Sequence, residues 1–211
     1  MSDKTGTLFI ISAPSGTGKT TLVRKICEMM DNLVVSISFT TRPKRNNEVH
    51  GIDYFFVSED EFNRMIANND FLEYATVFEY LYGTSKLWVG QQLDMGNDVI
   101  LEIDWQGAQN IRKKMKNVSI FILPPTFASL EKRLRNRGTD DEATIMRRCR
   151  EAFIELSQYP DFDYLIKNDD LDIAIGDLKQ IIQSVRDEKP VNTKDLSLFA
   201  SELMTEGANL Q

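Results

Sequence analysis

The run Ala13-Pro14-Ser15-Gly16-Thr17-Gly18-Lys19-Thr20, continued by Thr21, has the residue types and spacing to hold a nucleoside triphosphate. Backbone N–H groups of a glycine-rich turn and of a helix N-terminus converge on an anion, and the helix dipole favours negative charge there. Gly16 and Gly18 let the turn curl where a Cβ would clash. Lys19 can reach the outer phosphates of ATP, and the Thr20 hydroxyl can coordinate Mg²⁺. The context agrees. Leu8-Phe9-Ile10-Ile11 reads as a buried strand before the run, and Thr21-Leu22-Val23-Arg24-Lys25-Ile26 has apolar residues at helical spacing after it. Strand, turn and helix in that order are what a phosphate-binding P-loop requires. The pattern ordinarily opens with glycine. Ala13 takes that place here, which is compatible if it keeps strand-like dihedrals.

Other chemistry-bearing residues gather in three places. Arg42, Lys44 and Arg45 cluster near Gly51, and Arg133, Arg135, Arg137, Arg147, Arg148 and Arg150 cluster around Gly138. The chain as a whole carries a net charge of −7, which argues against broad nucleic-acid binding. Arginine clusters in an acidic chain suggest a focused anion site instead. Glu102 and Asp104 end the apolar run Val99-Ile100-Leu101, at the strand edge where α/β sheets bind ligands. They could bind Mg²⁺ through water, or orient an acceptor and nearby arginines. With His50 the only histidine, a catalytic His triad or a His-rich metal site is nearly excluded. Cys27 and Cys149 lack a Cys/His cluster and read as small apolar filling in a reduced, cytoplasmic protein. There is no apolar run long enough for a transmembrane helix and no signal-peptide profile, so no membrane association is expected.

The elements that must position these residues alternate. The P-loop strand and helix cover roughly residues 7–31, and residues 33–39 read as a second strand. Residues 54–57 form a short strand, with Ser58 capping a helix. Residues 71–77 read as strand. Thr84 or Ser85 opens a helix ending near Gly96. Residues 99–103 are a core strand, 105–115 a helix and 118–123 a strand stopped by Pro124-Pro125. Helices over 127–137 and 142–159 flank Gly138, followed by a strand at 164–166 and a helix over 171–185. Met146, Cys149, Phe153 and Leu156 read as core. The alternation predicts an α/β fold, a P-loop NTPase-type parallel sheet flanked by helices with right-handed crossovers. An inserted mixed α+β lobe covers about 38–94. The core takes 1–37, 95–130 and 151–190, a helical lid about 131–150, and a C-terminal extension about 187–211, all within a single domain.

Ser38-Phe39-Thr40-Thr41-Arg42-Pro43-Lys44-Arg45-Asn46-Asn47-Glu48-Val49-His50-Gly51-Ile52-Asp53-Tyr54 closely resembles the acceptor-site signature of guanylate kinases. Phe71-Leu72-Glu73-Tyr74, Tyr82-Gly83-Thr84, Leu101-Glu102-Ile103-Asp104-Trp105-Gln106-Gly107, Arg137-Gly138-Thr139 and Asn168-Asp169-Asp170 match further segments in order. The resemblance spans roughly residues 6–186 and is of the bacterial type. It implies that Arg42 and Arg45 hold the GMP phosphate with the phenols of Tyr54 and Tyr82, with Glu48 and Gly83 in the same GMP-binding set. Arginine suits this role because its guanidinium can fork onto a phosphate. Glu73 lies in an otherwise apolar strand, where a carboxylate needs a partner. A structural salt bridge is one such partner. The resemblance implies another, the adjacent N1–H and N2 amino donors of guanine. Adenine has no N1 donor, so Glu73 would discriminate against AMP. Ser38, Thr84, Glu102 and Asp104 match residues of the same site, and Glu102 stands where many members carry Asp. Arg137 and Arg148 match the lid arginines that stabilise the transferring phosphoryl. Asn168 matches a residue near the adenine. Arg133 and Arg135 read as a solvated helix face or as phosphate-rim contacts.

The implied reaction is reversible transfer of the ATP γ-phosphate to GMP or dGMP, with Mg²⁺ as cofactor. No general base is needed, because the GMP phosphate is already anionic, but the lobe and lid must close to exclude water. The alternative is a non-catalytic guanylate-kinase-like protein-binding module. The intact Lys19, Thr20 and lid arginines, and a length that leaves no room for a second domain, argue against it. A dimer or larger homo-oligomer is expected, with the extension contributing to it.

Overall fold

The computed structural model describes residues 5–77, 79–135 and 142–209. In chain order the elements are β1 (Leu8–Ser12), α1 (Lys19–Met29), β2 (Leu33–Val35), β3 (Phe39–Thr40), β4 (Phe55–Phe56), α2 (Glu59–Ala67), β5 (Phe71–Val77), β6 (Tyr80–Ser85), α3 (Lys86–Asp94), β7 (Asp98–Glu102), α4 (Trp105–Arg112), β8 (Val118–Leu123), α5 (Phe127–Arg135), α6 (Glu142–Leu156), β9 (Tyr164–Lys167), α7 (Leu171–Arg186) and α8 (Ser197–Asn209). The central sheet has the order β2-β7-β1-β8-β9, and its pairs β2/β7 and β8/β9 are parallel. Its strands β1, β7 and β8 are near-continuous apolar, buried runs, as expected of a parallel sheet flanked by helices. Leu8, Phe9, Ile10 and Ile11 are at most 2% exposed, for example. The α/β expectation therefore holds.

By density of internal packing the chain divides into two units. One is residues 1–10 with 31–117, and the other is residues 11–30 with 118–211.

In the first unit, β2 pairs with β7 from Leu33↔Asp98 to Val35↔Ile100, and a second sheet has the order β4-β3-β6-β5. The strand expected over 33–39 is in fact two. The chain leaves β2 at Ser36, whose N–H still reaches the Ile100 carbonyl at 2.9 Å, and re-enters pairing at Phe39 beside Gly83 in the second sheet. The chain changes sheet across Ser36-Ile37-Ser38. β6, antiparallel to β5, was not separated by the sequence pattern, which places only the helix start there. That start is confirmed. Ser85 caps α3, its hydroxyl accepting the Trp88 N–H at 3.3 Å, and Ser58 caps α2 through Glu61 at 3.2 Å. Phe62 of α2 stacks on Phe71 of β5 with ring centroids 4.5 Å apart. α4 ends at Arg112, three residues short of the expected boundary.

In the second unit, Phe121, Leu123, Phe127, Leu130, Leu134, Ile145, Cys149, Ala152, Leu156, Ala200 and Leu203 form one apolar cluster. Cys149 fills space in it as expected, and neither it nor Cys27 is in a disulfide. Met146, expected in the core, is 37% exposed, because the buried face of α6 runs through Ile145, Cys149 and Ala152 and leaves it outside. α6 stops at Leu156, and a 3-10 turn over Tyr159–Asp161 replaces its last expected turn. The C-terminal stretch folds back as α8. It buries Ala200 and Leu203 in the cluster, and its Glu206 carboxylate accepts the Phe127 and Ala128 N–H groups at the start of α5, at 3.0 and 3.2 Å. No helix among the described residues is long and apolar enough to cross a membrane.

Candidate active site

The glycine-rich loop belongs to the second unit. It leaves β1 at Ser12 and enters α1 at Lys19. Gly16 and Gly18 have φ of 91° and 93°, a left-handed conformation that favours glycine, and Gly18 is the N-cap of α1. Ala13 is buried and is not among the residues of positive φ, so its methyl is compatible with the turn. Thr17 is wholly buried. Its N–H and hydroxyl both donate to the Pro14 carbonyl, at 3.2 and 2.7 Å, which closes the loop on itself. The Thr17 carbonyl accepts from Asn168 Nδ2 at 2.7 Å and from Arg133 Nη1 at 3.0 Å. The Ser15 N–H donates to Glu155 Oε2 at 3.0 Å. Lys19 is half-exposed, and Thr20 and Thr21 are exposed in the first turn of α1.

The arginine and tyrosine residues expected at the acceptor lie in the first unit. Arg42 is 9% exposed. Its guanidinium donates to the Tyr82 hydroxyl at 3.1 Å, the Pro43 carbonyl at 2.9 Å and Glu48 Oε1 at 2.6 Å, and sits 5.4 Å from the Tyr54 ring centre. Burial alone would weaken its charge, but the hydrogen bonds to Glu48 and Tyr82 outweigh this and raise its pKa. Glu48 is likewise opposed by burial, yet its bonds from Arg42 and from the Arg45 N–H lower its pKa. The pair is therefore ionised and fixed. Arg45 is exposed, with its N–H on Glu48 Oε2 at 2.8 Å. Tyr54 is pushed up to about 12, first by burial and then by Glu102 and Tyr82, so it is a phenol donor at neutral pH.

A buried carboxylate lies in the same unit. Glu73, on β5, is 4% exposed, and its Oε1 accepts the hydroxyl of the fully buried Thr84 at 2.6 Å. Desolvation raises its pKa to about 7, with Asp104 adding to the shift while the Thr84 bond and Lys114 oppose it. Asp104 caps α4, its Oδ1 accepting the Gly107 N–H at 2.9 Å. A Cβ on Gly107 would lie 2.8 Å from Glu73 Oε2, so this helix start comes as close to the carboxylate as a glycine allows.

The structure thus has a tight glycine loop with a lysine and a threonine at the following helix start and, in the first unit, an Arg42–Tyr82–Glu48 cluster and a buried Glu73. A family model described as guanylate kinase matches residues 5–185. The chain belongs to the guanylate kinase family. It is 53% identical to the guanylate kinase of Methylococcus capsulatus over 182 residues, covering 86% of this chain and 89% of that protein. It is 50% identical to that of Hydrogenovibrio crunogenus over 199 residues, covering 94% and 97%. Among solved structures, guanylate kinase from Anaplasma phagocytophilum superposes with a TM-score of 0.73 at 34% identity, covering 88% of each chain.

Within this guanylate kinase fold the expected acceptor residues Arg42, Glu48, Tyr54 and Tyr82 meet through the contacts above, as do Glu73, Thr84 and Asp104. Glu102 ends β7, half-buried, and acts electrostatically on Tyr54. Gly83 is buried against Phe71 and Phe62, where a Cβ would come within 2.8 and 3.0 Å, so its place is one of close packing. Ser38 is half-buried between β2 and β3, and its carbonyl accepts the Phe55 N–H at 2.9 Å. Arg148 is half-buried on α6. Arg137 lies outside the described residues. Arg135, read as part of a solvated helix face or as a phosphate-rim contact, is exposed and pairs with Glu131 and Glu142. Arg133, read as part of a solvated helix face or as a phosphate-rim contact, reaches the loop through the Thr17 carbonyl, a partner sequence reasoning did not name, and sequence reasoning missed that Glu155 touches the loop at all. The partners are separated by 116 and 140 residues, and no local pattern announces either contact.

Proposed function

We propose that this chain is an ATP:GMP phosphotransferase, moving the γ-phosphate of ATP reversibly to GMP or dGMP, with acceptor choice set by Glu73. The observation that carries the reading is Glu73 itself, a 4% exposed carboxylate with one oxygen engaged by Thr84. A charge so desolvated is adverse unless a ligand uses it. Its remaining lone pairs suit the side-by-side N1–H and N2–H donors of guanine, which adenine, cytosine and uracil do not offer.

The acceptor phosphate is held by Arg42, whose orientation is fixed by Tyr82 and Glu48, with the Tyr54 phenol as a neutral donor and Arg45 as an exposed second cation. An oxygen of that phosphate is the nucleophile, so the chain needs no base. Its task is to bring two anions together. Backbone N–H groups of Gly16, Gly18, Lys19, Thr20 and Thr21 and the Lys19 side chain hold the triphosphate, and Arg148 and Arg137 offset the charge that spreads over the transferring group. Asn168, expected near the adenine, keeps its carbonyl oxygen for such a contact while its nitrogen serves the loop. The Thr20 hydroxyl, a hard oxygen donor exposed at the start of α1, fits Mg²⁺, an ion that takes one or two protein oxygens and completes its shell with phosphate and water. When bound, the ion neutralises charge on the β- and γ-phosphates. Two cysteines outside any disulfide fit a reducing cytoplasm.

ADP formation from Mg·ATP with GMP, AMP, CMP or UMP at equal concentration tests the reading. Turnover with GMP and background rates with the others support it. A preference for AMP would overturn the role given to Glu73.

A further inference from the structure

The Ser15 N–H bond to Glu155 fastens the phosphate loop to α6, the helix that also carries Arg148. Residues seven apart on a helix complete almost two whole turns, so Arg148 and Glu155 share a face and stand about 10 Å apart along the axis. Ile145, Cys149, Ala152 and Leu156 form the buried face of α6 next to that line and pack it into the apolar cluster. Apolar packing sets which side of a helix turns inward but is non-directional, and it holds sliding and tilt less firmly. A hydrogen bond from a loop amide to one carboxylate oxygen is directional. The far side of the loop is held independently, with the Thr17 carbonyl tied to Asn168 and Arg133.

We propose that Glu155 is a positioning residue for phosphoryl transfer. By accepting the Ser15 N–H it fixes α6 against the phosphate loop, and so sets where Arg148, two turns earlier on the same face, stands relative to that loop. The inference rests on the role given to Arg148 above. Only an acceptor oxygen at the right reach is required, so glutamine serves and aspartate, one methylene shorter, does not.

The test is steady-state kinetics on the full chain for Glu155→Ala, Glu155→Gln, Glu155→Asp, Arg148→Ala and the Glu155→Ala/Arg148→Ala double variant, with GMP affinity measured by titration. Glu155→Ala and Glu155→Asp lower kcat by about tenfold to a hundredfold, the span expected for a hydrogen bond to a charged group. Glu155→Gln stays within about threefold of the parent, and GMP affinity is unchanged in all three. The double variant is no slower than Arg148→Ala by more than about threefold, because both changes remove the same contribution. A merely structural Glu155 would lower thermal stability while leaving kcat per folded molecule intact. Parental kcat in Glu155→Ala and Glu155→Asp, equal losses in Glu155→Gln and Glu155→Ala, or a double variant showing the product of the single losses would each overturn the inference. Parental kcat in Arg148→Ala refutes the Arg148 role and this inference with it. A loss there beside parental kcat in Glu155→Ala refutes this inference alone.

Discussion

Replacing Glu73 by glutamine should stabilise the ligand-free protein while destroying acceptor recognition. The carboxyl titrates at about 7 instead of 4.5, mainly because burial disfavours its charge. At 1.36 kcal/mol per tenfold change, the ionised form costs the folded state about 3 kcal/mol relative to the unfolded chain. The sign follows from linkage. A carboxyl whose folded pKa is raised binds more protons folded than unfolded, so the penalty is absent below 4.5, grows between 4.5 and about 7, and is complete above. Glutamine cannot ionise and pays nothing at any pH, and its amide can still accept the Thr84 hydroxyl. For a chain of this length about 3 kcal/mol corresponds to roughly 6–12 °C in Tm. Thermal melts of parent and Glu73→Gln should therefore nearly coincide at pH 5 and diverge in favour of the variant toward pH 8. Added GMP should reverse the order, and the parent's KM for GMP should rise as pH falls through about 7. A variant less stable than the parent at pH 8 without ligand would refute the reasoning. It would mean that Glu73 is held by a stabilising ion pair, with Lys114 as its partner, rather than stored as a desolvated charge for the ligand.

Four further outcomes are expected. Lys19→Ala abolishes turnover, by about a thousandfold or more, while calorimetric GMP binding is intact. Gly107→Ala drives a methyl to within 2.8 Å of Glu73 Oε2 and raises KM for GMP with little change in KM for ATP, read from two-substrate kinetics. Glu48→Ala removes the ionic partner of Arg42 and weakens GMP binding by about tenfold to a hundredfold, measured by titration. Ending the chain near Glu188 uncovers the cluster filled by Ala200 and Leu203 and removes the Glu206 cap, lowering Tm. Light scattering on the same chain reads the tail's part in self-association, and an unchanged mass counts against it.

What could be read from sequence was local. The loop from Ala13 to Thr20 is legible because glycine, lysine and threonine must stand there for backbone amides to face an anion. β5 and β8 match their expected ranges because each is a continuous run of strand-forming residues. Glu73 stood out as a charge in an apolar strand, though its partner could be named only through the family resemblance. What escaped was non-local. The break at Ser36 depends on two sheets competing for one segment. The exposure of Met146 depends on which face of α6 the C-terminal helix covers. The contacts of Glu155 and Arg133 with the loop depend on the whole α5–α6 arrangement.

The most direct test of the central claim follows the phosphate itself. ATP labelled on its γ-phosphate is incubated with the protein, Mg²⁺ and GMP, and the products are separated. Transfer as proposed predicts that the label appears in the β-position of GDP, one for each ADP formed, with no more inorganic phosphate than in a control without protein. Label in inorganic phosphate, or ADP formed without labelled GDP, would contradict it.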